Sequence, residues 1–134
     1  MNLLPYANGD LNFLRMPSVA GAAAYRANPN IQTSEFGQTH FRGRIALLHL
    51  DGNHTYENIR ADIDAWAGLV MDGGWIVIDD YLWPFGDGPK RAGDEFVAAN
   101  EGRITSSFVL GSALFLCLSR ASDEQAEPLS VASS

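Results

Sequence analysis

The stretch IALLHLDGNHTYENIRADI, residues 45 to 63, decides the fold. Its first six residues, with Arg44 before them, are almost continuously apolar, the mark of a strand covered on both faces in a parallel sheet with helices above and below. A buried strand normally ends in bland turn residues. This one ends in Asp51, Gly52, Asn53 and His54, a carboxylate and an imidazole three positions apart, and only then does a helix begin. Ligands of open α/β sheets bind outside the carboxyl ends of the strands, so this end is a place for chemistry.

Reading outward, Tyr56, Ile59, Ile63, Trp66 and Val70 recur at helical spacing and predict an amphipathic helix ended by the Asp-Gly-Gly of residues 72 to 74. WIVID, residues 75 to 79, is a second buried strand rich in β-branched residues. Strand, helix, strand is the crossover unit that makes two parallel neighbours. The loop after Asp80 contains Pro84, Gly86, Gly88 and Pro89, and Pro89 suits the first residue of a helix carrying Ala92, Phe96 and Ala99 on one side. TSSFVL and ALFLCL, joined by Gly-Ser, read as a β-hairpin. The fold class is therefore α/β, parallel strands closed by a C-terminal antiparallel hairpin, half of an open sheet.

Residues 1–44 form a less defined N-terminal segment. LNFLR reads as a strand, SVAGAAAYRAN as a helix from Ser18 stopped near Pro29, and IQTSEFGQTHF as an extended piece bent at Gly37. Residues 45–120 form the α/β domain. The small, polar residues 121–134 read as a disordered tail.

Composition narrows the function. The 134 residues, 46% hydrophobic and 19% charged, suit one globular domain. A net charge of −7 with scattered Lys and Arg opposes nucleic-acid binding. No apolar run approaches the roughly 20 residues that cross a bilayer, and the N-terminus lacks a signal-peptide pattern, so no membrane partner is expected and a cytoplasmic location is. Cys117 is the single cysteine, which excludes an internal disulfide, and its apolar surroundings suit a small core residue.

Both parallel strands finish in acids: the first in Asp51, the second in Asp79 and Asp80. Three carboxylates at two neighbouring strand ends repel one another unless a cation sits among them, and Mg²⁺, which favours oxygen ligands, is the natural candidate. The plainer alternative is that they cap the following helix and turn. His54 is either a capping or solvated histidine or a general base beside the metal, since imidazole accepts a proton near neutral pH. His49, inside the strand, reads as structural, and His40 has no assigned role. Tyr81, Trp83 and Phe85, just after the acids, suit either an apolar wall for a substrate or anchors for the loop.

LLHLDGNHTYENIRADIDAW with the later GGWIVIDDY resembles the second half of the class I S-adenosylmethionine-dependent methyltransferases, in particular the metal-dependent O-methyltransferases acting on sugars of natural products such as macrolides and aminocoumarins. The pattern is Asp-Gly-x-His followed by Tyr-Glu, then Gly-Gly and Asp-Asp-Tyr. The resemblance covers residues 45 to 118. It implies a Rossmann-like sheet, Mg²⁺ on Asp51, Asp79 and Asp80, His54 as base, and S-adenosylmethionine as methyl donor to a hydroxyl of a small molecule or sugar. Some family members use an acid where Asn53 stands. The family's Gly-rich loop and ribose-binding acid have no counterpart in residues 1–44, which implies a fragment of a longer enzyme or a chain without the cofactor half. The competing expectation is a non-catalytic domain that associates through an exposed sheet edge, with a copy of itself or with a missing N-terminal half.

Overall fold

The computed structural model describes residues 9–119, and its contacts divide the chain into two units, Met1–Arg44 and Ile45–Ser134. The tail expected over 121–134 lies outside the described residues.

In the first unit, helix α1 spans Ser18–Ala27. It stops where Asn28 turns extended (φ −156°) ahead of Pro29, because the proline ring disfavours helical geometry in the residue before it. The expected extended piece is instead a hairpin, β1 (Asn30–Thr33) paired antiparallel with β2 (Gly37–His40). Gly37, at φ +72°, takes the left-handed conformation that brings the chain back into the second strand. The expected strand at LNFLR does not form. The Asn12 side chain binds the hairpin in its place: Nδ2 donates to the carbonyls of Ile31 and Gly37 (3.0 Å each), and Oδ1 accepts from Thr33 Oγ1 at 2.7 Å. A side-chain amide thus does what a ladder of backbone bonds was expected to do.

The second unit is built on a four-stranded sheet in the order β3-β4-β6-β5, with β3 Ile45–Leu50, β4 Val70–Ile78, β5 Ile104–Leu110 and β6 Ala113–Leu118. β3 and β4 run parallel, with Leu48 opposite Ile76 and Leu50 opposite Ile78. β6 pairs antiparallel with β4 and with β5, so the hairpin turned by Gly111 and Ser112 closes the sheet. Helix α2 spans Tyr56–Trp66 and helix α3 Gly88–Ala99. The periodicity that placed Val70 on α2 overran the helix. A single 3₁₀ turn, Ala67–Leu69, follows Trp66, and Val70 already opens β4, buried and opposite Ile45. On α3, Gly93 rather than Ala99 joins Pro89, Ala92 and Phe96 on the buried side.

The core of this unit is one layer. Ile59 and Ile63 of α2 and Ala92 and Phe96 of α3 pack with Leu48, Ile76, Ile78, Leu114, Leu116 and Leu118, which alternate along the strands and share one face. Tyr56 of α2 links the helices, donating its hydroxyl to Glu95 at 2.5 Å beneath the Arg91 guanidinium, 4.2 Å from its ring. The other face carries Phe108 in ring contact with both Trp75 and Phe115. β3 is therefore not covered on both faces as its composition suggested: Leu48 is 9% exposed, but Leu47 is 60% exposed. Among the described residues no helix is long and apolar enough to cross a membrane.

Candidate functional site

The parallel register delivers the acids together. With Leu50 opposite Ile78 at the strand ends, Asp51 and Asp79 are next in line, and the Asp79 amide donates to the Leu50 carbonyl at 3.0 Å, extending the ladder past the assigned strands. Side chains alternate along a strand, so His49 and Asp51 fall on one side of β3, and Asp79 on the same side of β4. His49 Nε2 lies 3.6 Å from Asp79 Oδ2.

Asp80 turns away from that row. It is the one non-glycine residue with a left-handed backbone among those described (φ +53°), a conformation that Asp tolerates better than most residues. Its amide donates to the Asp79 side chain at 2.9 Å, and its Oδ2 lies 2.5 Å from His54 Nε2. Donor atoms of two trios therefore lie within 4.8 Å of one another: His49, Asp51 and Asp79 in one, Asp51, His54 and Asp80 in the other. Among the described residues, Asp79 and Asp80 fall in different trios, each with its own histidine, and Asp51 belongs to both. Each trio mixes one imidazole with two carboxylates, a donor set that fits a divalent cation.

The loop that carries His54 is held from both sides. Thr55 is the N-cap of α2, its Oγ1 accepting from the Asn58 amide at 3.3 Å, and Asn53 Oδ1 accepts from the Thr55 amide at 2.9 Å. Capping thus belongs to Thr55 and leaves the His54 side chain outside it. Gly88, at the start of α3, lies against the same loop. A Cβ there would drive into the His54 carbonyl oxygen and stand 2.8 Å from the Tyr56 nitrogen, so only glycine permits the approach.

The three aromatic residues after the acids divide. Tyr81 packs against the core and donates its hydroxyl to Asp94 at 2.5 Å, while Lys90 Nζ donates to the other Asp94 oxygen at 2.7 Å. The Lys90 hydrogen bond holds the Asp94 carboxyl below the usual carboxylate range, and the same bond raises Lys90. Burial, and then the bond to Asp94, raise the Tyr81 phenol. Tyr81 therefore anchors the loop. Trp83 instead stacks on the His54 imidazole, ring centroids 4.7 Å apart and planes 26° from parallel, and Phe85, 82% exposed, meets Trp83 edge-on.

His49, Gly88 and the Trp83 stack were not legible as parts of the site. His49 had a signal that could have found it: it stands two residues before Asp51, on the same side of the strand.

A family model described as a methyltransferase domain matches residues 13–81, just over half of the chain. The chain belongs to this methyltransferase family. The match ends on Tyr81 and so includes Asp51, His54, Asp79 and Asp80. Solved structures similar to this methyltransferase domain include the O-methyltransferase NovP, at 22% identity and a TM-score of 0.47 over 58% of this chain and 31% of that one. Another is the MycE methyltransferase of the mycinamycin biosynthetic pathway, solved in complex with Mg and SAH, at 21% identity and a TM-score of 0.48 over 77% of this chain and 28% of that one. The domain spans about a third of the length of these structures. A search of curated proteins gave no match.

Proposed function

We propose that this methyltransferase domain forms the acceptor and cation end of an S-adenosylmethionine-dependent O-methyltransferase, acting on a hydroxyl of a small molecule or sugar. The observation that carries the reading is Asp51, shared by two mixed donor trios at the ends of two adjacent parallel strands. In this reading Asp51 would hold the divalent cation together with Asp79 in one trio or with Asp80 in the other, Mg²⁺ in the simplest case. Bound there, the ion supplies Lewis-acid chemistry, favouring ionisation of the acceptor hydroxyl and orienting neighbouring oxygens.

His54 is the base in this reading. With Nε2–H donating to Asp80, Nδ1 carries the lone pair that takes the acceptor's proton, and Asp80 fixes the tautomer and the ring plane. Asp80 has a second oxygen, Oδ1, for the cation. Trp83 covers one face of the imidazole and, with Phe85, offers an apolar wall to the acceptor. Tyr81, bonded to Asp94 and packed on the core, anchors the start of the loop that carries both rings.

For the methyl donor the fit differs. Among the described residues no strand precedes α1, which opens on Pro17 without a side-chain cap, and no glycine-rich strand–loop–helix stands ahead of β3. No described residue is assigned to S-adenosylmethionine, and no step here runs through it.

The experiment is a calorimetric titration of the chain with a catechol probe, whose adjacent oxygens suit a cation-assisted acceptor site, with Mg²⁺ and after EDTA treatment. Binding that needs the ion supports the reading; binding that is equal in both conditions, or missing from both, overturns it. A second reading, association through the edge of β3, which no described strand pairs on its outer side, is favoured by the exposed Leu47 on that strand. Concentration-dependent sedimentation that vanishes in Leu47→Lys would support it.

A further inference from the structure

We infer that His49 is a ligand of the cation, joining Asp51 and Asp79 on the sheet side and setting its preference toward imidazole-tolerant ions such as Mn²⁺, Co²⁺ and Zn²⁺ over Mg²⁺. The inference rests on the reading that a divalent cation binds at these strand ends.

The strand geometry carries it. His49 and Asp51 are two residues apart on β3, and Asp79 continues β4 on the same side, so alternation alone aligns one nitrogen and two oxygen donors. The backbone beneath them is fixed by the β3–β4 ladder and by the Asp79 amide bond to Leu50. The Nε2 to Oδ2 separation of 3.6 Å is longer than a good hydrogen bond and fits two ligands of one ion, since each bond from such a metal to nitrogen or oxygen is about 2.0 to 2.2 Å. Half of the His49 side chain is exposed, so an ion reaches it without the core opening.

The two histidines then divide the work. The His54 nitrogen nearest the acids is taken by Asp80 at 2.5 Å and its ring is held by Trp83, an arrangement for a positioned base. Among the described residues His49 has neither restraint, and its donor nitrogen lies within 4.8 Å of the Asp51 and Asp79 oxygens. Imidazole is a good ligand for Zn²⁺, Co²⁺ and related ions and a poor one for Mg²⁺, which selects oxygen. The ion preference should therefore depend on residue 49.

The test is pulsed electron paramagnetic resonance of the chain loaded with Mn²⁺, read for coupling to a directly bound ¹⁴N, on the wild type, His49→Gln and His54→Gln. The coupling should be present in the wild type and in His54→Gln, and lost in His49→Gln. In parallel, Zn²⁺ affinity should fall about tenfold or more in His49→Gln, at least the loss typical of removing an outer-shell partner, with Mg²⁺ affinity unchanged. Circular dichroism checks the fold of each variant, and His49→Asn serves as a second replacement if Gln perturbs the strand. Mn²⁺ bound without nitrogen coupling, or with a coupling that disappears in His54→Gln instead, overturns the assignment of His49 and leaves the cation reading standing. Failure of the wild type to bind any divalent ion overturns both.

Discussion

His54 Nε2 and Asp80 Oδ2 stand 2.5 Å apart, although 26 residues separate them in sequence and they leave different elements of the sheet. Alternation past Ile78 sets Asp79 and Asp80 on opposite sides of the sheet, Asp80 on the side that α2 packs against, and the chain turns there with Asp80 in the left-handed conformation (φ +53°).

If His54 is a positioned base, its removal affects rate far more than stability. In any assembly that turns over, His54→Ala should lower kcat by about 10² to 10⁴, the usual contribution of general acid–base catalysis. Thr55→Ala is the matched control, because Thr55 is the cap: it should cost about 1 kcal/mol of stability and little rate. Parallel activity and melting measurements decide between the roles, and a His54→Ala variant that melts lower yet keeps its turnover would return the histidine to a structural role.

Gly88→Ala should be damaging for a backbone reason. The added methyl meets the His54 carbonyl and the Tyr56 amide nitrogen, neither of which is a flexible side chain that can swing aside. A loss of about 1 to 3 kcal/mol, typical of overpacking, is expected from denaturant unfolding. An unchanged midpoint would mean that α3 and the His54 loop are less tightly apposed than the structure has them.

The Tyr81–Asp94–Lys90 cluster gives a pH dependence with a definite sign. Asp94 is depressed in the folded state, chiefly by the Lys90 bond, so its contribution is present above the unfolded value of about 3.9 and is lost as pH falls through the lower folded value. Asp94→Asn should therefore melt lower than the wild type at pH 7, and the gap should close in strong acid. Half of each charged side chain is exposed, so the difference at pH 7 should be small and should shrink further in high salt. A gap that widens in acid would contradict the assignment.

Calorimetric titration of the isolated chain with S-adenosylmethionine should show weak binding or none, because the described residues contain no glycine-rich loop to approach the cofactor. Micromolar binding would place a donor site in residues 1–44 that neither the sequence nor the described structure led us to expect.

The sheet and its acids were legible because their signals are strong and local: apolar runs for β3 and β4, a Pro at the start of α3, and Gly-Ser between β5 and β6. What escaped the sequence depended on tertiary context. Val70 continues the helical period of α2 and is also β-branched and buried, and sheet pairing with Ile45 won. LNFLR looks like a strand by composition, but the Asn12 amide found better use on the hairpin. In the site, three acids at two strand ends could be read directly, yet their division into two trios went unread, because it needs both the alternation that separates Asp79 from Asp80 and the register that sets Leu50 opposite Ile78.

The most direct test of the cation site is thermal melting of the wild type and Asp51→Asn, each with and without saturating Mn²⁺. Asp51 is the donor common to both trios, so its loss should weaken either arrangement. At a hundredfold excess over Kd a ligand of the folded state adds about 2.7 kcal/mol of stability, which for a domain of this size is a rise of several degrees in Tm. The wild type should show that rise and Asp51→Asn none; a wild type that does not respond, or a variant that responds equally, would rule out a cation on Asp51.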